Sequence, residues 1–126
     1  MKTAIHTSEA PPAIGTYSQA IRTGDLVFLS GQIPLTASGE LVTSQDIKVQ
    51  IRQIIANLQA VAAAAGGSLD QMVKLTVYLT DLNNFAAVNE VMAEFFSEPY
   101  PARAAVEVTG LPKGVPIEID AILSLA

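Results

Sequence analysis

Two spacing regimes alternate along the chain. Ile47, Ile51, Ile54, Leu58, Val61 and Ala65 recur at intervals of four and three, which predicts one apolar stripe on a helix. Thr43 or Ser44 is placed to cap that helix, and Gly66-Gly67 to stop it through a left-handed turn. A second stripe of Phe85, Val88, Met92 and Phe95 predicts a helix that starts at Thr80 or Asp81 and ends before Pro99. Elsewhere the period is two. In residues 72–79, Val73, Leu75, Val77 and Leu79 point one way, with Met72, Lys74, Thr76 and Tyr78 opposite. In residues 103–108, Ala104, Val106 and Val108 form the apolar face and leave Arg103, Ala105 and Glu107 opposite. In residues 116–125, Ile117, Ile119, Ala121, Leu123 and Leu125 share a face, away from Glu118, Asp120 and Ile122.

The first third reads as three strands, 2–7, 17–23 and 26–30, the last two joined in a hairpin at Gly24-Asp25. Residues 8–15, with Pro11-Pro12 and Gly15, and 31–39, with Pro34, are loops. The order β-β-β-α-β-α-β-β predicts an α+β fold, a mixed sheet with two helices on one face. No composition break or repeat divides the chain, so residues 1–126 are expected to form one domain. The far face of the sheet is expected to show Met72, Tyr78, Ala105 and Ile122 among polar groups. Half of the chain is apolar and only 15% is charged, more apolar surface than a small monomer hides. That half-apolar face is therefore the expected contact between subunits of an oligomer.

Charge narrows the function. Twelve acidic against seven basic residues leave a net charge of −5, and the basic residues are scattered rather than clustered. Phosphate backbones and anionic membranes are disfavoured as partners. There is no cysteine and a single histidine, His6, which removes thiol nucleophiles, disulfides, cysteine or histidine metal clusters and triads needing more than one histidine. The first residues lack the apolar core of a secretory signal, and the alanine-rich run near residues 58–65 is too short to span a bilayer. A cytoplasmic protein with no metal and no cofactor is expected.

The remaining chemistry rests on one cation, some carboxylates and hydroxyls. Arg103 follows Tyr100-Pro101-Ala102, where a rigid prolyl turn delivers the chain into a strand and aims the guanidinium. A fixed fork suits a small carboxylate, and equally an ion pair with Glu107 or an acidic residue of another subunit. Glu118 sits between Ile117 and Ile119; partial desolvation there raises a carboxylate toward general-base range, and a rim salt bridge fits the same pattern. Glu107 and Asp120 read as solvated or paired charges, and His6 as an exposed residue without a catalytic role. Ser30-Gly31 ends an apolar strand, where a hydroxyl and backbone N–H groups can cradle a ligand or simply turn the chain. Tyr17 offers a phenol to a ligand or packs as strand aromatics do.

Read together, these islands resemble the RidA (YjgF) family. The resemblance is carried by Gly15-Thr16-Tyr17-Ser18-Gln19-Ala20, Ser30-Gly31-Gln32-Ile33-Pro34, Tyr100-Pro101-Ala102-Arg103 and Ile117-Glu118-Ile119, and extends over essentially the whole chain. It implies a chorismate-mutase-like fold and a homotrimer with clefts between subunits. The implied activity is hydrolysis of 2-iminobutanoate and 2-iminopropanoate to 2-oxo acids and ammonia. By the same resemblance Arg103 grips the substrate carboxylate, Glu118 holds and activates the attacking water, and Tyr17, Ser30, Gly31 and Asn89 line the pocket. Two positions depart from the family pattern. Thr16 stands where proline is frequent, and Ala105 where many members carry cysteine; the Ala105 backbone carbonyl is still able to orient a water. A different class remains open, a non-enzymatic trimeric module that binds 2-oxo acids or amino acids and regulates a partner protein. Holdase chaperoning is a third reading, and it requires an apolar patch exposed after assembly.

Overall fold

The computed structural model describes residues 1–126. Six strands form one mixed sheet: β1 (Lys2–Ile5), β2 (Ala20–Thr23), β3 (Leu26–Gln32), β4 (Met72–Leu79), β5 (Ala102–Glu107) and β6 (Ile117–Ser124). Their spatial order is β1-β2-β3-β6-β4-β5. All neighbours are antiparallel except β4 and β5, which run parallel because helix α2 (Phe85–Phe95) carries the chain back between them. Helix α1 (Ile47–Ala64) connects β3 to β4 and packs against α2, β3 and β6. This is the expected α+β order, with both helices on one face of the sheet.

The core lies between the sheet and α1. Ile51, Ile54, Ile55, Leu58, Val61 and Ala62 of the helix are buried against Val27, Leu29, Leu75, Val77, Leu79, Ile117, Ile119 and Leu123. Burying each such large side chain contributes about 1.5–3 kcal/mol. Helix α1 starts at Ile47, the first residue of its stripe, and so later than the expected caps place it. Asp46, rather than Thr43 or Ser44, is the N-cap, accepting a hydrogen bond from the Lys48 N–H at 3.0 Å. At the other end Gly66, at φ +88°, takes the left-handed position. Its N–H reaches the Ala63 carbonyl and the Gly67 N–H the Ala62 carbonyl, so the last turn is closed as expected.

Other expectations shift. The first strand stops at Ile5, and β2 begins only at Ala20, because residues 7–19 form a loop held by side-chain hydrogen bonds. Strand β3 runs on to Gln32, past Ser30, with its register against β6 broken between Leu29 and Gln32. Helix α2 begins at Phe85, after a short 3₁₀ turn capped by Asp81; Val91 is buried in place of Phe95, and Phe96 closes the end.

One strand face is reversed from the sequence reading. A second strand departs from it only at its first two residues, since Leu75, Val77 and Leu79 of β4 are buried as expected. A register shift in β4 between Met72 and Lys74 turns Met72 into the core and leaves Val73 45% exposed. In β5 the partners of Arg103 and Ala105 are Leu75 and Val77, both core residues, so Arg103 and Ala105 face the helices. Ala104 and Val106 lie on the open face, with Val106 42% exposed. That open face therefore carries Leu26, Phe28, Tyr78, Ala104, Val106 and Ile122, and neither Met72 nor Ala105. No helix is long and apolar enough to cross a membrane.

Candidate functional site

The candidate residues separate into two groups. The first lines a cavity of about 600 Å³ between the 11–17 loop, the end of β3 and the start of β6. Tyr17, Ser30, Gly31 and Glu118 meet there, together with Pro11, Pro12, Ile14, Gln32, Ile33, Pro112 and Lys113. The break in register between β3 and β6 opens this space, and Gly31 preserves it. A Cβ on Gly31 would stand only 2.8 Å from the Glu118 carboxyl carbon, closer than side-chain atoms pack. The Glu118 carboxylate is half-buried over that bare backbone. Desolvation first, and the nearby Asp120 charge second, push its pKa above the usual carboxylate value.

The cavity wall is fixed from behind. Gln19 is buried, and its amide accepts from the Thr7 N–H at 2.7 Å while donating to the carbonyls of Thr7 and Pro11 at 3.0 and 2.8 Å. One side chain thus pins the loop that carries Pro11 and Pro12. On α1, buried Asn57 donates to the Leu35 carbonyl at 2.8 Å and holds the opposite wall. Ser30 donates its hydroxyl proton to the Ser18 carbonyl at 2.6 Å, so toward the cavity it offers lone pairs. The Tyr17 phenol accepts a 3.4 Å contact from the Ile14 N–H, and its ring is exposed to the cavity rather than packed.

Arg103, Ala105 and Asn89 form the second group, on the helix face at the β5 edge. Arg103 Nη1 donates to Asn89 Oδ1 at 2.6 Å and contacts Met92 Sδ at 3.4 Å, and the guanidinium carbon lies 4.8 Å from the centre of the Phe85 ring. The contact with the negative face of that ring steadies the cation. Glu107, a partner considered from sequence, instead accepts from the Leu82 N–H at 3.1 Å. Arg103 has no carboxylate partner; the two ion pairs of the chain are Lys48–Glu90 and Arg52–Glu94, between α1 and α2. Shallow concavities of about 390 and 400 Å³ flank the guanidinium, one with Ala105 and Phe85, the other with Asn89, Tyr100 and Pro101.

Register shows why the groups stay apart. Arg103 pairs with Leu75 and Glu118 with Tyr78, three residues along β4, so their side chains project from opposite faces of the sheet. No cluster of acidic residues or histidine is arranged to hold a metal ion.

Residues 7–124 match the protein-family model described as endoribonuclease L-PSP, the YjgF/RidA family. The chain belongs to that family. Its relatives include the RutC family protein PH0854 of Pyrococcus horikoshii, 52% identical over 97% of both chains. The Escherichia coli K12 protein named "Putative reactive intermediate deaminase TdcF" is 46% identical over 97% of this chain and 96% of its own. Among solved structures, RidA from the Antarctic bacterium Psychrobacter sp. PAMC 21119 superimposes with a TM-score of 0.92 at 49% identity, covering 97% of this chain and 98% of that one. E. coli TdcF solved with bound serine gives 0.89 at 42%, covering 98% and 99%. Reactive intermediate deamination is thus the activity for which a RidA-family relative of this chain is named.

Sequence reasoning found Tyr17, Ser30, Gly31 and Glu118 as islands that the fold does assemble. It assigned no role to Gln19 and Asn57; a polar residue inside an apolar stripe, as Asn57 is beside Ile54 and Leu58, is the signal that marks such an anchor.

Proposed function

We propose that this RidA-family chain hydrolyses short 2-imino acids, with 2-iminobutanoate and 2-iminopropanoate as substrates and the 2-oxo acids and ammonia as products. The observation that carries the reading is Glu118, a carboxylate made more basic by burial and seated over the bare backbone of Gly31 in an open cavity. The deaminase name of TdcF supports it, as does the serine bound to TdcF, an amino acid with the three-carbon skeleton of 2-iminopropanoate. The ribonuclease description attached to the family fits this chain less well, because a net charge of −5 with scattered cations repels a phosphate backbone.

The reaction balances with these groups alone. A protonated imine is already electrophilic at its carbon. Glu118 accepts a proton from water as the water oxygen bonds to that carbon, and the C=N π pair moves to nitrogen. The protonated Glu118 returns its proton to the amine, the C–N bond breaks, and the hydroxyl proton leaves with ammonia as ammonium while the carbonyl forms. General-base assistance of this kind contributes about 10²–10⁴-fold.

The substrate carboxylate needs a cation, and within one chain Arg103 projects from the wrong face. In this reading copies of the chain assemble as a homotrimer, and Arg103 of one copy closes the Glu118 cavity of the next. Asn89 fixes the guanidinium, the Ala105 carbonyl orients the water, and Tyr17, Ser30 and Gly31 form the wall. The open face with Leu26, Phe28, Val106 and Ile122 supplies apolar surface for such assembly. Such an enzyme serves the cytoplasm, where dehydratases acting on threonine and serine release the parent enamines.

The test is coupled turnover. A dehydratase generates the imine from serine or threonine, and its loss is followed with wild type, Arg103→Ala and Glu118→Gln. The proposal requires acceleration by wild type and little by either variant. Clearance by Arg103→Ala at the wild-type rate contradicts it.

A further inference from the structure

Asp120 stands two residues beyond Glu118 on β6, and the period of two puts both carboxylates on the open face of the sheet. Asp120 does not wave free. The Tyr78 phenol donates to its Oδ2 at 2.9 Å, reaching diagonally across the β4–β6 ladder from the position opposite Glu118. Both groups are half-buried, so the negative charge of Asp120 is held in one place close to Glu118 and is only partly screened by water.

We propose that Asp120, anchored by Tyr78, is a positioning residue for Glu118: its fixed charge makes the Glu118 carboxylate a stronger acceptor for the proton of the attacking water. The inference rests on the reading of Glu118 as the general base and adds what tunes it. The surroundings agree. From β3, Glu118 faces the Ser30 hydroxyl and the backbone of Gly31, neither of which carries charge. From β4 it faces Tyr78, with Thr76 and Lys74 further along the same face. Across the cavity lie the Tyr17 phenol and Lys113. Within one copy Arg103 and Glu107 of β5 belong to the opposite face. In the proposed trimer the cation that reaches this cavity is Arg103 of the neighbouring copy, which is unchanged in every variant compared below. Asp120 is the charged group that raises the Glu118 pKa, second to desolvation. Hydrogen bonding to that same carboxylate, before burial, raises the Tyr78 pKa, so the phenol keeps its proton and stays the donor.

The consequence is a link between a residue that touches no substrate and the pH at which the enzyme works. With Asp120 ionised, Glu118 holds a proton to higher pH; as an acceptor it is more basic, and as the acid that returns the proton it remains loaded longer.

The experiment measures two quantities on Asp120→Asn, Asp120→Glu and Tyr78→Phe. One is the acidic limb of kcat/KM for dehydratase-generated imine. The other is the ¹³C carboxyl titration of Glu118, assigned by the resonance that Glu118→Gln removes. Asp120→Asn is expected to lower both midpoints together by about half a pH unit, the size expected for a partly screened charge at this separation. Asp120→Glu restores them toward wild type, and Tyr78→Phe, which frees the carboxylate to swing away, lowers them by less. Midpoints unmoved in Asp120→Asn, or in Tyr78→Phe should the asparagine variant not fold, overturn the proposal. Full activity in Glu118→Gln would instead refute the assignment of the base, and the carboxyl titration would still report whether Asp120 tunes it.

Discussion

The Glu118 carboxyl group rests directly against the bare Cα of Gly31, where an added Cβ would come within 2.8 Å of the carboxyl carbon and 3.1 Å of Cγ. Glycine is required here for space, since its φ is not among the positive ones. Gly31→Ala is therefore expected to displace the carboxylate while leaving the fold intact. Imine turnover should fall at least tenfold with a melting temperature within a few degrees of wild type, checked by coupled assay and thermal denaturation. Wild-type turnover in that variant would show that the seat of Glu118 does not matter.

Arg103 depends on Asn89 in a similar way. The 2.6 Å hydrogen bond from Nη1 and the Phe85 ring leave the rest of the guanidinium fork free to meet a planar carboxylate. Arg103→Lys keeps the charge and loses the fork, so it should recover only a small part of the activity lost in Arg103→Ala. Asn89→Ala should raise KM more than it lowers kcat. Steady-state kinetics on the three variants decide both points.

Burial of Glu118 predicts a trade between stability and function. Its folded pKa lies above the unfolded carboxylate value of 4.5, so the folded state binds the proton more tightly. Its contribution to stability is greatest below the unfolded value and is lost as pH rises through the folded pKa. Glu118→Gln removes that penalty. It should melt higher than wild type at pH 7.5, gain little or nothing at pH 4, and be inactive at both. A lower melting temperature at pH 7.5 would contradict the assigned desolvation.

Gln19 makes a prediction about the loop alone. Replacing it with leucine strands the Thr7 N–H and the Thr7 and Pro11 carbonyls, which its amide now satisfies. A loss of roughly 2–4 kcal/mol in urea denaturation is expected, since the buried Pro11 carbonyl left unpaired costs about 1–3 kcal/mol and the two part-buried Thr7 groups, which regain some water, cost less each.

The central strand β6 was readable from its alternation because both neighbours, β3 and β4, hold it and one face is wholly apolar. Edge strand β5 was not. Ala104 and Val106 look more like core than Arg103 and Ala105 do, yet parallel pairing to Leu75 and Val77 places the latter pair on the helix face. Pairing partner, not side-chain polarity, decides the face of an edge strand, and the long apolar stem of arginine tolerates that position. The register shift at Met72 is likewise invisible to a strict period of two. Of the site, the chemistry-bearing islands were legible. Their division between two faces was not, because it follows from the register of β4 against both β5 and β6.

The division itself offers the most direct test. If Arg103 of one copy serves Glu118 of the next, Arg103→Ala and Glu118→Gln are each inactive alone but complement when mixed. After denaturation and joint refolding at equal amounts, random trimers should regain about a quarter of wild-type imine hydrolysis, because each mixed trimer rebuilds one intact site in three. Activity no higher than the sum of the separately refolded variants would show that the two residues do not share a site across copies.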